Sequence, residues 1–346
     1  MHPQAKLISS LSLLLGTTIV ISSNHWIMAW AGLELNTLAI LPLIAKSHHP
    51  RAIEATTKYF LVQATASTLL LFSSLINAQF TGQWDITHLT HPTSCTLLTT
   101  AIAMKLGLVP FHFWLPEVLQ GSSLTTGLIL STIMKLPPIT LLYLTAPSLN
   151  PTLLSLMAVA SVTLGGWMGL NQTQTRKILA FSSITHLGWM AAIIIYNPKL
   201  TLLLFYLYAL MTSSIFLTLH TTKTLKLSTM ITMWTKIPPL TIALMMTLLS
   251  LAGLPPLSGF LPKWLIIQEL TKQEMTTMAT ILALLSLLNL FFYLRLIYCT
   301  SITLPPNTTN HMKLWQTNKK ANILLSTCTS LAITLLPLSP TILAIL

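Results

Sequence analysis

Apolar runs of about 20 residues, the length that an α-helix needs to cross a bilayer, follow one another along almost the whole chain. Only 7% of the 346 residues are charged, and the mean hydropathy is +0.74. Soluble domains contain about 25% charged residues. The chain is therefore predicted to be an all-α polytopic membrane protein with little room for a soluble domain.

The runs predict about eleven transmembrane helices in a single transmembrane domain over residues 1–346. The predicted spans are 7–23, 26–45, 59–80, 96–119, 122–145, 151–170, 177–196, 200–221, 238–270, 275–299 and 321–343. The first run lacks the small-residue cleavage site of a signal peptide, so it is predicted to be a retained span.

Basic residues are divided unequally between the two faces of this topology. Only Lys199 and Lys272 lie in the loops on one face. Twelve lie at the N-terminus or in the loops of the other face: Lys6, Lys46, Arg51, Lys58, Arg176, Lys177, Lys223, Lys226, Lys236, Lys313, Lys319 and Lys320. This asymmetry is the usual topology signal of membrane proteins. It places the N-terminus on the positive side and the C-terminus opposite, and it accounts for the net charge of +12 without nucleic-acid binding.

Two of the spans contain the same interruption. The first reads Lys105-Leu-Gly-Leu-Val-Pro-Phe-His-Phe-Trp-Leu-Pro-Glu117, and the second reads Gly253-Leu-Pro-Pro-Leu-Ser-Gly-Phe-Leu-Pro-Lys263. Both contain Gly-Leu-x-Pro, four residues, and then Leu-Pro with an ionisable residue. Because proline removes a backbone donor and glycine weakens a helix, both spans are predicted to be broken helices, near 96–119 and 238–270. Matched broken helices in two halves of a membrane protein indicate an ion pathway.

Four ionisable residues fall inside the predicted membrane region. Glu34, Lys105 and Lys135 lie in mid-span, and Lys263 follows the second break. Each such group at the bilayer centre costs on the order of 3 kcal/mol, so the four need partners, a wet cavity or both. A purely structural role remains open, as ion pairs between helices or as lysines that extend to the membrane surface.

A proton relay is the functional interpretation of these charges. Removal from water makes a lysine release its proton more readily, and a carboxylate within about 4–6 Å reverses that effect. At an effective dielectric constant of ~20, one unit charge at ~4 Å contributes about 4 kcal/mol. Moving a single carboxylate could therefore release a lysine proton. Lysine suits this role because arginine does not give up its proton.

Two histidines are candidate linkers in the relay. His112 lies inside the first break, and His186 lies in mid-span beside Ser182, Ser183 and Thr185. The hydroxyl groups favour a relay role for His186, whereas a packing role stays open for His112. Haem is the rival interpretation, but haem proteins of membranes usually pair histidines on facing helices, and no such pair is evident.

No cofactor-binding motif is visible in the sequence. The three cysteines are scattered without a CxxC pair, so zinc and cysteine-ligated iron–sulfur clusters are not predicted. No Gly-rich phosphate loop follows a strand, so NADH binding is not predicted either. A quinone site is likewise not visible.

The two broken motifs, together with Phe181-Ser-Ser-Ile-Thr-His-Leu-Gly188, resemble signatures of the antiporter-like membrane subunits of respiratory complex I. The resemblance covers essentially the whole chain. The Thr/Leu/Met-rich, acid-poor composition also resembles that of a mitochondrially encoded vertebrate chain. The resemblance implies inverted five-helix repeats and a core proton-pumping subunit of the mitochondrial inner membrane. It also implies that the positive face is the matrix side, with the C-terminus on the intermembrane-space side.

The resemblance assigns roles to the buried charges. It implies an ion pair of Glu34 with Lys105, followed by Lys135 and Lys263. His112 and His186 match polar linkers of a hydrated axis. It further implies that NADH, FMN, iron–sulfur clusters and ubiquinone bind in other subunits, which makes this chain a non-redox part of the enzyme.

The partners implied are other complex I membrane subunits, including sibling antiporter-like subunits, and lipids. Two alternatives stay open. One is a stand-alone cation/proton antiporter, and the other is a structural membrane subunit without its own proton path.

Overall fold

The computed structural model describes residues 3–47, 49–234, 236–301, 323–339 and 341. Every regular element in these ranges is helical, which confirms the predicted fold class. The chain divides into two compact units, residues 1–161 and 162–346. The predicted single transmembrane domain stays a prediction.

The first unit is built from α-helices, several of which pack against a neighbour in the chain. Its helices are α1 (Pro3–Ser22), α2 (Trp26–Ile44), α3 (Pro50–Thr81), α4 (Pro92–Leu106), α5 (Trp114–Gly121), α6 (Leu124–Ser131) and α7 (Leu136–Thr145). Helix α1 packs on α2, α2 on α3, and α3 on both α4 and α5. Helix α8 (Pro151–Gly169) begins in this unit and ends in the second.

The second unit is organised around α10. Its helices are α9 (Thr175–Ile193), α10 (Pro198–Thr222), α11 (Leu227–Ile231), α12 (Pro238–Ala252), α13 (Phe260–Lys272), α14 (Thr276–Ser301) and α15 (Ile323–Thr334). Helix α10 contacts α9, α12, α13 and α15, and α14 contacts α9, α11, α12 and α13.

Proline marks where several helices begin. Pro50, Pro92, Pro198 and Pro238 each occupy the first turn of a helix, where the missing N–H would have no partner in any case. The start of α3 at Pro50 differs from the predicted span 59–80. Nine further residues are helical because Pro50 and the side chain of His49, which accepts from the Arg51 N–H, start the helix earlier.

Seven of the predicted spans coincide with described helical segments that are long and apolar enough to cross a bilayer, and one of these is the segment Leu124–Ser148. Helices α12 and α15 are shorter and apolar. Every predicted span contains a described helix, which is consistent with eleven crossings. Part of the span 321–343 lies outside the described residues.

The predicted span 122–145 has an interruption of its own. Helix α6 ends at Ser131, and a 3-10 turn over Ile133–Lys135 precedes α7. Pro137 and Pro138 cannot donate backbone hydrogen bonds to the preceding turn, which bends the segment. Lys135 is the last residue of this 3-10 turn.

Apolar side chains cover the outer surface. On α1, Leu7, Ile8, Leu14 and Leu15 are all more than half exposed. A soluble protein rarely exposes large apolar side chains contiguously, so this surface fits contact with lipid.

Candidate functional site

The two breaks have matching backbone geometry. Helices α4 and α12 end at Gly107 and Gly253, which both have φ 81° and ψ 38°. A cis peptide bond precedes the proline at Pro110 and at Pro256. Because only glycine adopts a positive φ readily, these two residues set where each helix stops. The predicted interruptions are confirmed at both positions.

The same position of the motif carries an acid in the first unit and a base in the second. Glu117 lies in the first turn of α5, where the helix dipole favours a negative charge. Its carboxylate pairs with the ammonium of Lys58 at 2.5 Å, and Lys58 also pairs with Glu54 at 2.5 Å. This charged cluster of Glu54, Lys58 and Glu117 therefore joins α5 to the first part of α3.

Lys263 takes a different role in the second break. Its Nζ donates to the carbonyl oxygen of Ala252, the last residue of α12, at 2.7 Å. A basic side chain at this position satisfies a carbonyl that the helix leaves open and complements the negative end of its dipole. A Cβ on Gly253 would lie 2.9 Å from Nζ of Lys263, so the glycine also provides the space for this contact.

Side chains from other segments donate hydrogen bonds to backbone carbonyl groups near the first break. Nε2 of Gln63 donates to the carbonyl of Lys105 at 3.4 Å, and Nε1 of Trp114 donates to that of Met104 at 3.1 Å. The ring of Trp114 meets that of Tyr59 edge-on, with 5.6 Å between centroids. The break is thus covered by protein, as backbone inside a membrane must be.

The side chain of Lys105 is buried at 6% exposure, and its Nζ makes no hydrogen bond to the described residues. The carboxylate of Glu34 is close enough to interact electrostatically with Lys105 and with Tyr59. Neither Nζ of Lys105 nor Oε2 of Glu34 has a hydrogen-bond partner among the described residues, and their ion pair stays a prediction. Ion pairs within 4.0 Å include Glu54–Lys58, Lys58–Glu117 and Glu269–Lys272.

One small cavity connects the two lysines of the first unit. Its volume is about 20 Å³, and both Lys105 and Lys135 line it. The other lining residues are Leu33, Asn36, Thr37, Tyr59, Gln63, Trp114, Leu130, Met134, Pro137 and Pro138. A cavity that admits one water needs roughly 10–15 Å³. The cavity therefore has room for one water beside the two lysines, and Lys135 is 3% exposed.

The two histidines lie in different units. His112 is 1% exposed inside the first break, and neither of its ring nitrogens has a hydrogen-bond partner among the described residues. Its ring centroid lies 4.2 Å from that of Phe113. These contacts leave both its packing role and its relay role open.

His186 is 8% exposed, and its ring centroid lies 5.4 Å from that of Tyr208. The Tyr208 hydroxyl also forms a hydrogen bond with Ser183. The second unit thus places His186 next to hydroxyl groups, as the sequence suggested.

The structure brings Glu34, Lys105 and Lys135 together in the first unit, and it places His186 and Lys263 in the second. Sequence reasoning missed two polar residues that line the cavity with the lysines of the first unit, Asn36 and Gln63. An amide inside an apolar run was the available signal for both. In the described part of the chain, no group of three His, Cys, Asp or Glu residues could hold a metal ion.

Two protein families match consecutive parts of the chain. The family described as "NADH:quinone oxidoreductase/Mrp antiporter, TM" matches residues 23–289, and "NADH dehydrogenase subunit 2 C-terminus" matches residues 290–343. Curated relatives match over the full length. The NADH-ubiquinone oxidoreductase chain 2 of Struthio camelus is 73% identical over 346 residues, covering 100% of both chains. That of Gallus gallus is 70% identical with the same coverage.

Solved structures share the fold. A chain of respiratory complex I from Thermus thermophilus, solved with bound aureothin, has a TM-score of 0.82 at 26% identity and covers 96% of this chain and 79% of that chain. A chain of the Mrp complex from a Dietzia species has a TM-score of 0.82 at 17% identity, covering 97% of this chain and 75% of that chain. The second likeness shows the fold alone.

Proposed function

The chain belongs to the family of NADH-ubiquinone oxidoreductase chain 2, the antiporter-like membrane-arm subunit of respiratory complex I that translocates protons, and from this we propose the residues that carry the proton. The proton path uses Glu34, Lys105 and Lys135 in the first unit and His186 and Lys263 in the second. His112 is a further linker in the first break.

In the first unit the carboxylate of Glu34 controls the charge of Lys105. While Glu34 is near, it stabilises the protonated amine against the cost of burial. When the carboxylate moves away or is neutralised, this stabilisation of the charged amine is lost. Lys105 then gives its proton towards Lys135 across the small cavity. A lysine can take part in this step, whereas an arginine would hold its proton.

The chain itself carries out no redox chemistry in this proposal. NADH oxidation and ubiquinone reduction take place in other subunits of the complex, and this subunit uses the free energy that they release. We place it in the mitochondrial inner membrane, with its N-terminus in the matrix and its C-terminus on the intermembrane-space side. The full-length vertebrate relatives and the unequal distribution of basic residues support this placement.

One observation carries the proposal: two almost completely buried lysines line the same water-sized cavity, and a carboxylate interacts with one of them. The test is Lys105→Met in the assembled complex reconstituted into proteoliposomes. We expect normal assembly but fewer protons translocated for each electron transferred. Lys199→Met is the matched control, because that lysine is exposed at the start of α10, and it should translocate normally. Normal translocation by Lys105→Met would rule out this relay.

A further inference from the structure

Asn36 is a buried amide without a partner in the described residues. It lies on α2, two residues after Glu34, and is 2% exposed. Neither its Oδ1 nor its Nδ2 forms a hydrogen bond with the described part of the chain. Buried amides are almost always hydrogen-bonded, to protein or to an ordered water. The side chain of Asn36 therefore calls for a partner that is small enough to fit beside it.

The surroundings of Asn36 point to a water as that partner. Asn36 lines the cavity of about 20 Å³ that also contacts Lys105 and Lys135. The volume accommodates one water, and a buried water normally has two to four polar partners. An amide offers both a donor and an acceptor, and the two amines add further hydrogen-bonding groups.

The opposite helix provides the space for the amide. A Cβ on Gly16 of α1 would collide with Oδ1 of Asn36 and would lie 2.9 Å from its Cγ. A packing role for Asn36 between α1 and α2 is therefore the rival explanation, and the experiment must separate the two.

We propose that Asn36 binds a water that bridges Lys105 and Lys135 and carries the proton between them. This inference rests on the relay proposed above. The water accepts a proton from the ammonium of Lys105 and gives another of its protons to the neutral amine of Lys135. Lys105 becomes neutral, Lys135 becomes charged, and the water is regenerated. The amide of Asn36 orients the water through a hydrogen bond and does not itself exchange a proton. Asn36 is thus a positioning residue.

Two substitutions at Asn36 distinguish water binding from packing. Asn36→Leu keeps the approximate size but removes both polar groups. Asn36→Ser is smaller and keeps a hydroxyl that can bind a water. In proteoliposomes of the assembled complex, we expect Asn36→Leu to lower proton translocation for each electron as much as Lys105→Met does. We expect Asn36→Ser to keep roughly half or more of the normal value, because a water-mediated bond is nearly as good as a direct one.

Asn77→Leu is the matched control. Asn77 is fully buried in α3, does not line the cavity, and donates from Nδ2 to the carbonyl of His88 at 3.0 Å. Its replacement should lower stability but leave translocation for each electron unchanged in complexes that assemble.

Each outcome decides one question. Loss in Lys105→Met with normal translocation in Asn36→Leu would overturn the role of Asn36 and leave the relay intact. Normal translocation in Lys105→Met would overturn both. Lower assembly of both Asn36 variants with normal translocation in what assembles would show a packing role only. If Asn36→Leu does not assemble, a water-resolving density map of the unaltered complex decides: a water within hydrogen-bonding distance of Asn36 and Lys105 supports the proposal, and a dry cavity overturns it.

Discussion

Lys263 combines two roles that a single substitution can separate. Its ammonium satisfies the last carbonyl of α12, and the proposed relay requires the same group to release its proton. Arginine can still donate to the carbonyl of Ala252 but holds its proton under all physiological conditions. We therefore expect Lys263→Arg to assemble normally and to lose proton translocation.

Lys263→Ala removes both the titratable amine and the hydrogen bond to the carbonyl of Ala252 that caps α12. We expect this variant also to assemble less well, because the loss of a capping hydrogen bond at a helix end typically costs about 1 kcal/mol. Quantifying the assembled complex on native gels alongside translocation in proteoliposomes measures both effects. Normal translocation in Lys263→Arg would show that Lys263 only caps α12 and is not part of the relay.

Glu34 is expected to matter through its charge and not its shape. Glu34→Gln keeps the size of the side chain but removes the negative charge on which the proposed control of Lys105 depends. We expect an assembled complex with a lower ratio of protons translocated to electrons transferred. The exposed Glu274 offers the control, since Glu274→Gln should change neither assembly nor the ratio. An unchanged ratio in Glu34→Gln would remove this residue from the relay.

At the scale of helices, the charged cluster of Glu54, Lys58 and Glu117 holds α5 against α3. All three side chains are substantially exposed, between 39% and 60%. Exposed pairs of this kind contribute about 0.2–1 kcal/mol. A double-mutant cycle of Lys58→Met and Glu117→Gln, followed by thermal unfolding of the purified chain in detergent, should give a coupling energy in that range and a smaller one at high salt. Strict additivity of the two substitutions would show that the contact does not stabilise α5.

The contact of α1 with α2 depends on two glycines. A Cβ on Gly32 would lie 2.7 Å from Cγ2 of Val20 and 3.0 Å from the carbonyl oxygen of Gly16. Small residues allow membrane helices to approach this closely. Overpacking of a tight contact typically costs about 1–3 kcal/mol, so Gly32→Ala should lower the unfolding midpoint of the chain in detergent. Leu35→Ala is the control, since Leu35 lies on the exposed side of the same helix. Equal stability of the two variants would contradict the close contact.

The helices and breaks could be predicted because their signals are local. Apolar run length sets the spans, and Gly107 and Gly253 end helices through their own backbone conformation. The polar partners could not be predicted in this way. Gln63 donates a hydrogen bond to the carbonyl of Lys105, which lies 42 positions further along the chain. Glu117 forms an ion pair with Lys58 on another helix. Such pairs depend on how α3 packs against α4 and α5, which no local pattern specifies.

At the scale of the whole chain, the two units repeat a geometry but not a set of charges. Their breaks align position by position, although many of the aligned residue types differ. Leu251 stands in the second motif where Lys105 stands in the first, and Lys263 stands where Glu117 does. The first unit therefore holds an acid with two buried lysines and His112, whereas the second holds His186 and Lys263.

The isolated chain is expected not to transport protons by itself. A stand-alone antiporter would exchange cations for protons without any other subunit, and the likeness to a chain of the Mrp complex shows only that the fold is shared. In the proposed function, the movement of Glu34 relative to Lys105 is driven by electron transfer in other subunits. A change in population from 1:99 to 99:1 needs about 5.5 kcal/mol from an external source. We therefore expect the purified chain in liposomes to show no exchange under imposed sodium, potassium or pH gradients.

The control for this prediction is the complete complex in the same liposomes, which should acidify or alkalinise the lumen only when NADH and a quinone are supplied. Lys105→Met in the isolated chain separates leakage from transport, because leakage through defective bilayers would not depend on that amine. Cation-dependent proton movement by the isolated chain that disappears in Lys105→Met would show that the relay works without electron transfer. The buried charges would then belong to an autonomous antiporter. The rest of the complex would set the direction of proton transport but would not be needed for transport itself.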